Sequence, residues 1–542
     1  MSYPINSKLG LPDQYQEWRT EQYQAFSAMC KSEKEVFMLD APTGVGKSVL
    51  GVGLHRQSKL NLGEDFKSVY LCGTKQLQDQ IMRDFGDIAV TLKGRNNYPC
   101  AQKFDLFPDV TCDDCSFTSP HDCGYYADCE YHKQKLLAKE ADLVVLNNAY
   151  FLNEANGFRP SFSGRNMIIA DEIDAIDNAL MSFIEFRLTT KQIDNYGLKL
   201  PYETENKDAW MAWMPATIES MNEYISSLKL SLPHGDWSIA DIQINRRIKS
   251  MEKMVDKFNL ILMEGNSGWI FYPNKTDKGT EYIFKPINVN KYANWYLWRH
   301  AEFNVGMSGT IWDAETVCRE LGVEECDYMS LDSPFPIANR PIYFQPVCSL
   351  TKRTMHEELP LLLQAIHEDL PKYNNRKVLI HTTSYEIQRY LRANLDWEYQ
   401  NLIMDHTSET REQALAQFQA SKDPNIMLSP SFDRGVDLRE KDNVGLQIIC
   451  KVPFLNLGDP QVYAKLHSPN GERWYMLKAA QTMGQMTGRS VRSPTQKCDT
   501  RIYDSQFQRI LDKLGRIIPQ YWTGAIQKIP KKMNYKKFGA MI

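Results

Sequence analysis

Short apolar stretches, too brief for helices and rich in residues that favour strands, recur along the chain. They lie at residues 36–39, 69–72, 143–146 and 167–170, and again at 378–381, 426–428, 446–450 and 502–503. Longer stretches with helical spacing separate several of them. This alternation is typical of parallel sheets covered by helices. The pattern predicts an α/β protein with two parallel-sheet domains.

The segment between the two sets has a different pattern. Residues 180–268 contain no such stretch, and apolar residues from Ile239 to Ile261 recur every three or four positions instead. That spacing predicts helices with one apolar face. Residues 268–286 then predict two strands joined by a turn at Lys278 and Gly279. We therefore expect a helical insertion, followed by a hairpin that leads back towards the first sheet.

Length and charge narrow the class of protein. A chain of 542 residues suggests about three to five folded units. Lys and Arg number 63 and Asp and Glu number 67, so 63 − 67 gives a net charge of −4. This value excludes a protein that coats nucleic acid through its overall positive charge, but it permits a local basic groove.

Signals for secretion or membrane insertion are absent from the sequence pattern. The chain begins without an apolar signal segment, and no apolar run approaches the roughly 20 residues that span a membrane. We therefore expect a soluble protein of the cytoplasm with no membrane partner. It would be associated with the nucleoid, or lie in a host cytoplasm if the protein is viral.

The run VFMLDAPTGVGKSVL places a glycine-rich loop between a predicted strand and a predicted helix. This is the context of a loop that binds nucleotide phosphates. The glycines allow backbone N–H groups to face phosphate oxygens, while the lysine reaches the outer phosphates and the serine can bind Mg²⁺. The candidate nucleotide-binding residues are Thr43, Gly44, Val45, Gly46, Lys47 and Ser48. The alternative is a tight turn in which Gly-Lys-Ser occurs by chance.

Two carboxylates, Asp171 and Glu172, directly follow the strand predicted at 167–170. The carboxyl ends of parallel strands border the ligand crevice of an open sheet. Asp171 would hold Mg²⁺ together with Ser48, and Glu172 would orient or deprotonate the water that attacks the outer phosphate. A solvated acidic loop is the alternative, which the upstream glycine-rich loop disfavours.

The run QMTGRSVR near the end of the chain supplies positive charge. Gln485, Arg489 and Arg492 have spacings that place them on one helical face. Arginines that neutralise a γ-phosphate from a second domain make hydrolysis depend on domain closure. With Lys47 and the two carboxylates, these three residues complete the predicted catalytic set. A surface helix that carries arginines is the alternative.

Five cysteines crowd into a short segment: Cys100, Cys112, Cys115, Cys123 and Cys129. In a reducing compartment such crowding indicates metal rather than disulfides. Five thiols exceed by one the ligands of a tetrahedral zinc or a four-iron cluster. The spacing alone leaves both metals open, and a group of buried thiols without metal is the alternative.

In their order and separation these motifs resemble the XPD/DinG family of iron-sulfur superfamily-two DNA helicases. The resemblance spans about residues 13–508 and includes WRTEQYQAF from residue 18, GTKQLQDQ from 73, KGRNNYPC from 93, CEYHKQKLLAKEADLVVLNNAYFL from 129, MSGTI from 307, SPFP from 333, HTTSY from 381, SFDRGVDL from 431 and KVPFLNLGDP from 451.

The resemblance implies two RecA-like motor domains. The first would comprise residues 1–95, 130–180 and 269–332, and the second residues 333–542 with a basic C-terminal tail. An insert at 96–129 would carry a 4Fe-4S cluster, and a helical arch would comprise 181–268. Cys100 and Cys129 match the family's outer ligands, and Cys112 with Cys115 fits better than Cys123.

Further roles follow from the resemblance. Gln22 and Arg19 would contact the adenine of ATP, Gly435 and Asp437 would line the site between the domains, and Ser308 with Thr310 would couple hydrolysis to movement. The residues expected to bind a DNA strand are Thr74, Lys75 and Gln78 in the first domain and Thr382, Ser384 and Tyr385 in the second. Such contacts suit binding to phosphates without base readout.

The expected protein is a monomeric ATP-dependent helicase that moves 5′ to 3′ on single-stranded DNA and opens forked or tailed duplex. Three departures from the family pattern, Asp174, Asn148 and Arg434, put the coupling of hydrolysis to DNA in question, because the family has a His in place of the first. Two rivals stay open: a DNA-stimulated ATPase that moves without separating strands, and a metal-stabilised scaffold with an inactive motor.

Overall fold

The structure is a computed structural model. It describes residues 2–102, 110–114, 123–157, 160–233, 237–265, 268–277, 279–432, 436, 438 and 440–530. Within these ranges, no helix combines the length and the apolar character needed to cross a membrane.

The first part of the chain contains a strand-helix alternation that begins with a small two-stranded sheet. Its elements are β1 (Ser2–Pro4), β2 (Glu17–Arg19), α1 (Thr20–Lys31), β3 (Val36–Asp40), α2 (Lys47–Leu62), β4 (Ser68–Cys72), α3 (Lys75–Phe85), β5 (Val90–Thr91), α4 (Glu130–Glu140), β6 (Leu143–Asn147), α5 (Asn148–Ala155), β7 (Met167–Asp171) and α6 (Ile176–Ile184).

The middle of the chain is mainly helical and then returns to strands. Its elements are β8 (Phe186–Thr189), α7 (Thr190–Tyr196), α8 (Lys207–Ser231), α9 (Ile239–Glu264), β9 (Trp269–Thr276), β10 (Gly279–Pro286), α10 (Asn290–Tyr296), β11 (Phe303–Ser308), α11 (Ala314–Glu320) and β12 (Asp327–Ser330).

The last part of the chain alternates again. Its elements are β13 (Ile342–Cys348), α12 (Met355–Asp369), β14 (Lys377–His381), α13 (Tyr385–Asn394), β15 (Ile403–Met404), α14 (Arg411–Ala420), β16 (Ile426–Ser429), β17 (Val444–Ile449), α15 (Pro460–Leu466), α16 (Gly471–Thr487), β18 (Asp499–Asp504), α17 (Phe507–Leu514), α18 (Gln520–Thr523) and β19 (Ile526–Lys528).

Two seven-stranded parallel sheets form the framework. Their strand orders are β12-β3-β11-β7-β4-β6-β5 and β15-β16-β14-β17-β18-β13-β19. Strands β3, β4 and β7 are buried along their whole length, because helices cover both faces of each sheet. The prediction of an α/β protein with two RecA-like parallel sheets is confirmed.

The helical insertion differs from the prediction in one respect. Residues 186–189 form β8, which pairs antiparallel with β10 in a separate three-stranded sheet. The hairpin β9–β10 therefore joins the insertion, and the chain re-enters the first seven-stranded sheet only at β11. The sequence FRLT is too short to show a strand pattern, and only its pairing with β10 makes it one.

The apolar faces predicted for the insertion form its core. Met251, Met254, Phe258 and Ile261 of α9 are buried, as is Trp210 of α8, whose ring lies 5.2 Å from that of Trp213. The interpretation of Trp210 as a core residue rather than a base-stacking residue agrees with its burial, and the partly buried Trp213 packs against the same core.

Ionic contacts join the two seven-stranded units. Arg473 of α16 binds Asp313 at the start of α11 with an N···O distance of 2.6 Å, and Lys478 binds Asp177 of α6 at 2.7 Å. Lys465 of α15 also pairs with Glu320 of α11. Helices α15 and α16 therefore dock the second unit against the first, and one cleft is bordered by residues that follow strands of the first unit and by residues of α16.

Candidate nucleotide and metal sites

The glycine-rich loop lies between β3 and α2, as predicted. Gly44 and Gly46 have φ angles of 85° and 89°, which residues with a side chain rarely adopt. A Cβ atom at Gly46 would lie 2.8 Å from Nε2 of Gln22, and one at Gly44 would lie 2.2 Å from the ring of Phe335. The loop conformation and its close neighbours therefore require glycine at both positions.

Two side chains at the start of α1 hold this loop. Arg19 donates from Nη2 to the carbonyl oxygens of Gly44 and Val45, at 2.8 and 2.6 Å. The amide of Gln22 is buried and donates to Val45 O at 2.7 Å. Burial lowers the pKa of Arg19. In the structure both side chains position the loop, and their contact with adenine stays a prediction.

The carboxylates at the end of β7 face the lysine of the loop. Nζ of Lys47 lies 3.6 Å from Oε1 of Glu172, whose backbone is left-handed with a φ of 56°. Burial alone would lower the pKa of Lys47, but Glu172 and Asp171 raise it above its usual value. Burial raises the pKa of Asp171 to about 6, against the opposing effect of Lys47. Ser48 and Asp171 both form a hydrogen bond with the side chain of Tyr70.

Gln485 brings the second unit into this site. Its Nε2 donates to Oε2 of Glu172 at 3.0 Å and to Oγ1 of Thr310 at 2.8 Å. Arg489 donates from Nη2 to Gln485 Oε1 at 3.4 Å and from Nη1 to the carbonyl of Val436 at 2.8 Å. The charge of Arg492 acts on Lys47 and opposes the rise of its pKa. The predicted catalytic residues from the two ends of the chain thus meet in one cleft.

Asp174 connects the carboxylates to the segment after β11. It accepts hydrogen bonds from Ser308 Oγ at 2.6 Å and from Thr310 Oγ1 at 2.9 Å. Its backbone carbonyl accepts from Nζ of Lys478 at 2.7 Å. The departure from the family pattern therefore keeps a direct link between the two segments, and a carboxylate in place of a His binds both hydroxyl groups.

An open cavity lies between the two units. It encloses about 620 Å³, open space at its mouth included, and is lined by Thr43, Lys47, Glu172, Thr310 and Gln485, among others. Arginine, lysine and carboxylates around one such cavity match the charges of a magnesium nucleotide.

A second cavity, of about 520 Å³, collects four of the clustered cysteines: Cys100, Cys112, Cys123 and Cys129. The Sγ atoms of Cys112 and Cys129 lie 3.4 Å apart. Cys115 lies outside the described residues. Across the described ranges, no three Cys, His, Asp or Glu side chains are arranged to hold a metal ion, so the four thiols share a cavity without converging on one point.

The segment around this cavity packs against the helical insertion. Asp114 binds Arg246 of α9 with an N···O distance of 2.5 Å, and its carbonyl accepts from Asn245 at 2.8 Å. Val110 packs with Trp237 and Ile242. The cysteine-rich insert and α9 therefore form one contact surface.

The expected DNA-binding residues divide into two groups. Lys75 and Tyr385 are exposed, while Thr74 and Ser384 accept backbone hydrogen bonds at the starts of α3 and α13. Gln78 and Thr382 require a correction, because neither side chain reaches solvent. The amide of Gln78 donates to the carbonyls of Leu92 and Val145, so it fastens α3 to the sheet.

Some predicted residues lie outside the described ranges: Gly435, Asp437 and Arg434.

The sequence reasoning also missed residues that the structure places in the cleft. Lys478 lies seven positions before Gln485, two helical turns along the same face, which could have revealed it. Gly484 is an isolated glycine inside a helix, and such a glycine indicates close approach of another group.

Comparisons with known proteins agree with this architecture. The family model of the helicase C-terminal domain matches residues 368–525. The ATP-dependent DNA helicase YoaA of Haemophilus influenzae is 22% identical, with 92% of this chain and 94% of the relative covered. The Escherichia coli protein of that name is also 22% identical, over 86% of this chain and 88% of its own.

Solved structures share the fold. An XPD helicase superposes with a TM-score of 0.60 at 16% identity, covering 94% of this chain and 99% of the other. Xpd4 of S. tokodaii gives a TM-score of 0.57 at 13% identity, with 94% and 100% covered. Sequence motifs, relatives and fold together support an XPD/DinG-type superfamily-two helicase.

Proposed function

We propose that the protein hydrolyses ATP to move along single-stranded DNA, 5′ to 3′, and to separate forked or tailed duplex. The observation that carries this proposal is the pair of hydrogen bonds from Gln485 of the second unit to Glu172 and Thr310 of the first. A nucleotide between the two units would touch both, so its hydrolysis would change their arrangement.

The residues of the cleft have separate tasks in this reaction. Ser48 and Asp171 would hold Mg²⁺, which neutralises charge on the phosphates when bound. Lys47 binds the outer phosphate oxygens. Glu172 orients the attacking water and accepts its proton, and Gln485 holds the Glu172 carboxylate in place. Arg489 and Arg492 stabilise the charge that develops on the transferred phosphoryl group.

The DNA strand would lie across the starts of α3 and α13, where Thr74 and Ser384 act as caps. Helix N-termini carry partial positive charge and suit phosphate groups. Lys75 and Tyr385 add an exposed cation and an exposed ring. These contacts read no base edges, so we expect binding without sequence preference.

We infer that Cys100, Cys112, Cys123 and Cys129 bind the metal, because these four line one cavity. This set includes Cys123, the alternative ligand, and Cys115 stays a candidate because it lies outside the described residues. The family resemblance supports a 4Fe-4S cluster. Zinc is a second candidate, because two thiolates on one tetrahedral zinc lie about 3.8 Å apart and Cys112 and Cys129 already approach to 3.4 Å.

The first test is hydrolysis of ATP with and without single-stranded DNA by the purified wild type and Glu172→Gln. We expect DNA to stimulate the wild type, and Glu172→Gln to lose nearly all turnover. Glu409→Gln, at an exposed position, is the matched control and should behave as wild type. Unchanged turnover in Glu172→Gln would remove this residue from the proposed reaction and favour an inactive motor with a scaffold role.

A second test separates movement from strand separation. Duplexes with a 5′ or a 3′ single-stranded tail are mixed with protein and ATP, and released strands are counted. We expect release from the 5′-tailed duplex only. DNA-stimulated hydrolysis without any release would favour the rival that moves without separating strands.

A further inference from the structure

Trp312 lies two residues after Thr310, where the first unit meets the second. Its side chain is 4% exposed, and its backbone is left-handed with a φ of 54°. A bulky residue rarely adopts this conformation, and such a conformation persists only where the surroundings impose it. The contacts of Trp312 show which parts of the molecule do so.

The backbone of Trp312 is tied to the strand that carries the phosphate loop. Its N–H donates to Oδ2 of Asp40 at 3.0 Å, and Asp40 is the last residue of β3. The N–H of Ala41, the next residue, donates to the carbonyl of Ser308 at 2.7 Å. Hydrogen bonds therefore hold the segment from Ser308 to Trp312 against Asp40 and Ala41, directly before the glycine-rich loop.

The indole ring of Trp312 belongs to the contact between the units. Its Nε1 donates to the hydroxyl of Tyr521 at 3.1 Å, and that hydroxyl donates to the carbonyl of Gly309 at 3.0 Å. The ring centroid lies 5.1 Å from that of Trp522. Two aromatic residues of α18 thus hold the ring from the side of the second unit.

The ring also sets how closely α16 approaches. A Cβ atom at Gly484 would lie 2.5 Å from Cη2 and 2.6 Å from Cζ2 of Trp312, and 2.8 Å from Cγ2 of Thr310, so the indole ring is its nearest obstacle. Gly484 immediately precedes Gln485, the residue that binds Glu172 and Thr310. Because Gly484 has no side chain, α16 can approach the ring of Trp312 closely. This contact therefore sets the distance between Gln485 and the carboxylate of Glu172.

We propose that Trp312 is a positioning residue that places Gln485 against Glu172 and Thr310 through its fit on Gly484. This inference rests on the proposed hydrolysis of ATP and adds the part that joins domain closure to the arrangement of the hydrolytic site. Trp312 acts through Gln485. Its removal should slow the chemical step and leave nucleotide binding by the glycine-rich loop intact.

The test compares Trp312→Ala, Trp312→Phe, Gly484→Ala and the double variant Gly484→Ala with Trp312→Phe. A misplacement of about 1 Å can cost up to about 100-fold in rate, so we expect kcat to fall at least about tenfold in Trp312→Ala and in Gly484→Ala. Affinity for ADP, measured by calorimetry, should stay near the wild-type value. Trp397→Ala, at a residue that is 86% exposed, is the matched control and should retain kcat.

The double variant distinguishes the specific contact between residues 312 and 484 from a general disruption of the fold. Phenylalanine lacks the ring atoms that meet residue 484, so Trp312→Phe should restore part of the rate that Gly484→Ala loses, and the effects should be non-additive. Additive effects, an equal fall in ADP affinity, or single variants within about twofold of wild type would overturn the inference.

The proposed function fails separately from this inference. A wild type that hydrolyses no ATP would refute the function and, with it, the role of Trp312 in catalysis. The fit of Trp312 on Gly484 would then still be measured by the same four proteins in thermal unfolding, where non-additive midpoints report the contact.

Discussion

The nucleotide cleft and the cysteine-rich insert differ in what holds them together. The cleft is built from groups of the chain itself: Glu172, Gln485, Thr310, Asp174 and Ser308 form a continuous series of hydrogen bonds. In the described part of the insert, four of its five cysteines line a cavity without converging.

This difference indicates how each region reaches its working form. Hydrogen bonds between buried and partly buried side chains preorganise the cleft before a nucleotide binds. In a small segment with little core, metal binding supplies folding free energy. We therefore expect substitutions in the cleft to alter rates while the fold persists, and substitutions of cysteine to alter the local fold.

The largest expected effect is in the cleft. Arg489→Ala should lower kcat by about 10³-fold, because an arginine that neutralises the transferred phosphate supplies that much or more. The far-ultraviolet circular dichroism spectrum should not change. Arg516→Ala, at an exposed position, is the control. A kcat within about tenfold of wild type would show that Arg489 has a structural role, through its hydrogen bonds to Val436 and Gln485, rather than a catalytic one.

The insert should respond differently. Cys129→Ser should lose the metal, seen in the visible absorption spectrum and in iron and zinc analysis of anaerobically purified protein, and should lose strand separation. Hydrolysis of ATP without DNA should stay within about threefold of wild type, since the cleft does not use the insert. Cys30→Ser, at an exposed cysteine, should keep both. Loss of ATP hydrolysis in Cys129→Ser would break the distinction between the regions.

Asp174→Ala should have an intermediate effect. It removes the acceptor of two buried hydroxyl groups, Ser308 and Thr310, and unmet hydrogen bonds of this kind cost about 1–3 kcal/mol each. We expect DNA-stimulated kcat to fall about tenfold, while hydrolysis without DNA falls less. An equal fall with and without DNA would place Asp174 in the chemical step rather than in coupling.

The smallest effect concerns pH. Burial raises the pKa of Asp40 to about 7, the charge of Asp174 adds to the rise, and hydrogen bonds from Trp312 N–H and Tyr328 oppose it. Tyr521 also faces this carboxyl group. In the unfolded chain the pKa is near 4, so the stability gained from the bound proton is lost as pH rises through 7.

The measurement for this prediction is the midpoint of thermal unfolding at pH 6 and pH 8. The wild type should lose stability over this range, and Asp40→Asn should lose less, by about 2 °C or more. Other titrating groups are shared by both proteins. Equal losses would show that Asp40 does not titrate there.

Much of the framework could be predicted from the sequence. The eight apolar stretches coincide with strands, because strands of parallel sheets are buried on both faces and carry little polar sequence. Strand β11 was missed because Asn304, Gly306 and Ser308 interrupt its apolar pattern. Strand β8 was missed because its pairing partner lies about 95 residues away.

The site could be predicted only in part. Spacing and resemblance identified Lys47, Glu172 and Gln485, since each has a local motif. The contact of Trp312 with Gly484 depends on the docking of two units, and no local pattern reports it. The burial of Gln78 depends on the packing of α3 against the sheet, so sequence alone could not give it.

A structure with a non-hydrolysable ATP analogue and Mg²⁺ tests the central claim most directly: that one nucleotide is held by groups from both units. We predict that Lys47 and the guanidinium groups of Arg489 and Arg492 lie within about 3–4 Å of the γ-phosphate oxygens, with Glu172 and Gln485 beside the site of the attacking water. An analogue bound by the glycine-rich loop alone, with both guanidinium groups turned away, would contradict the account.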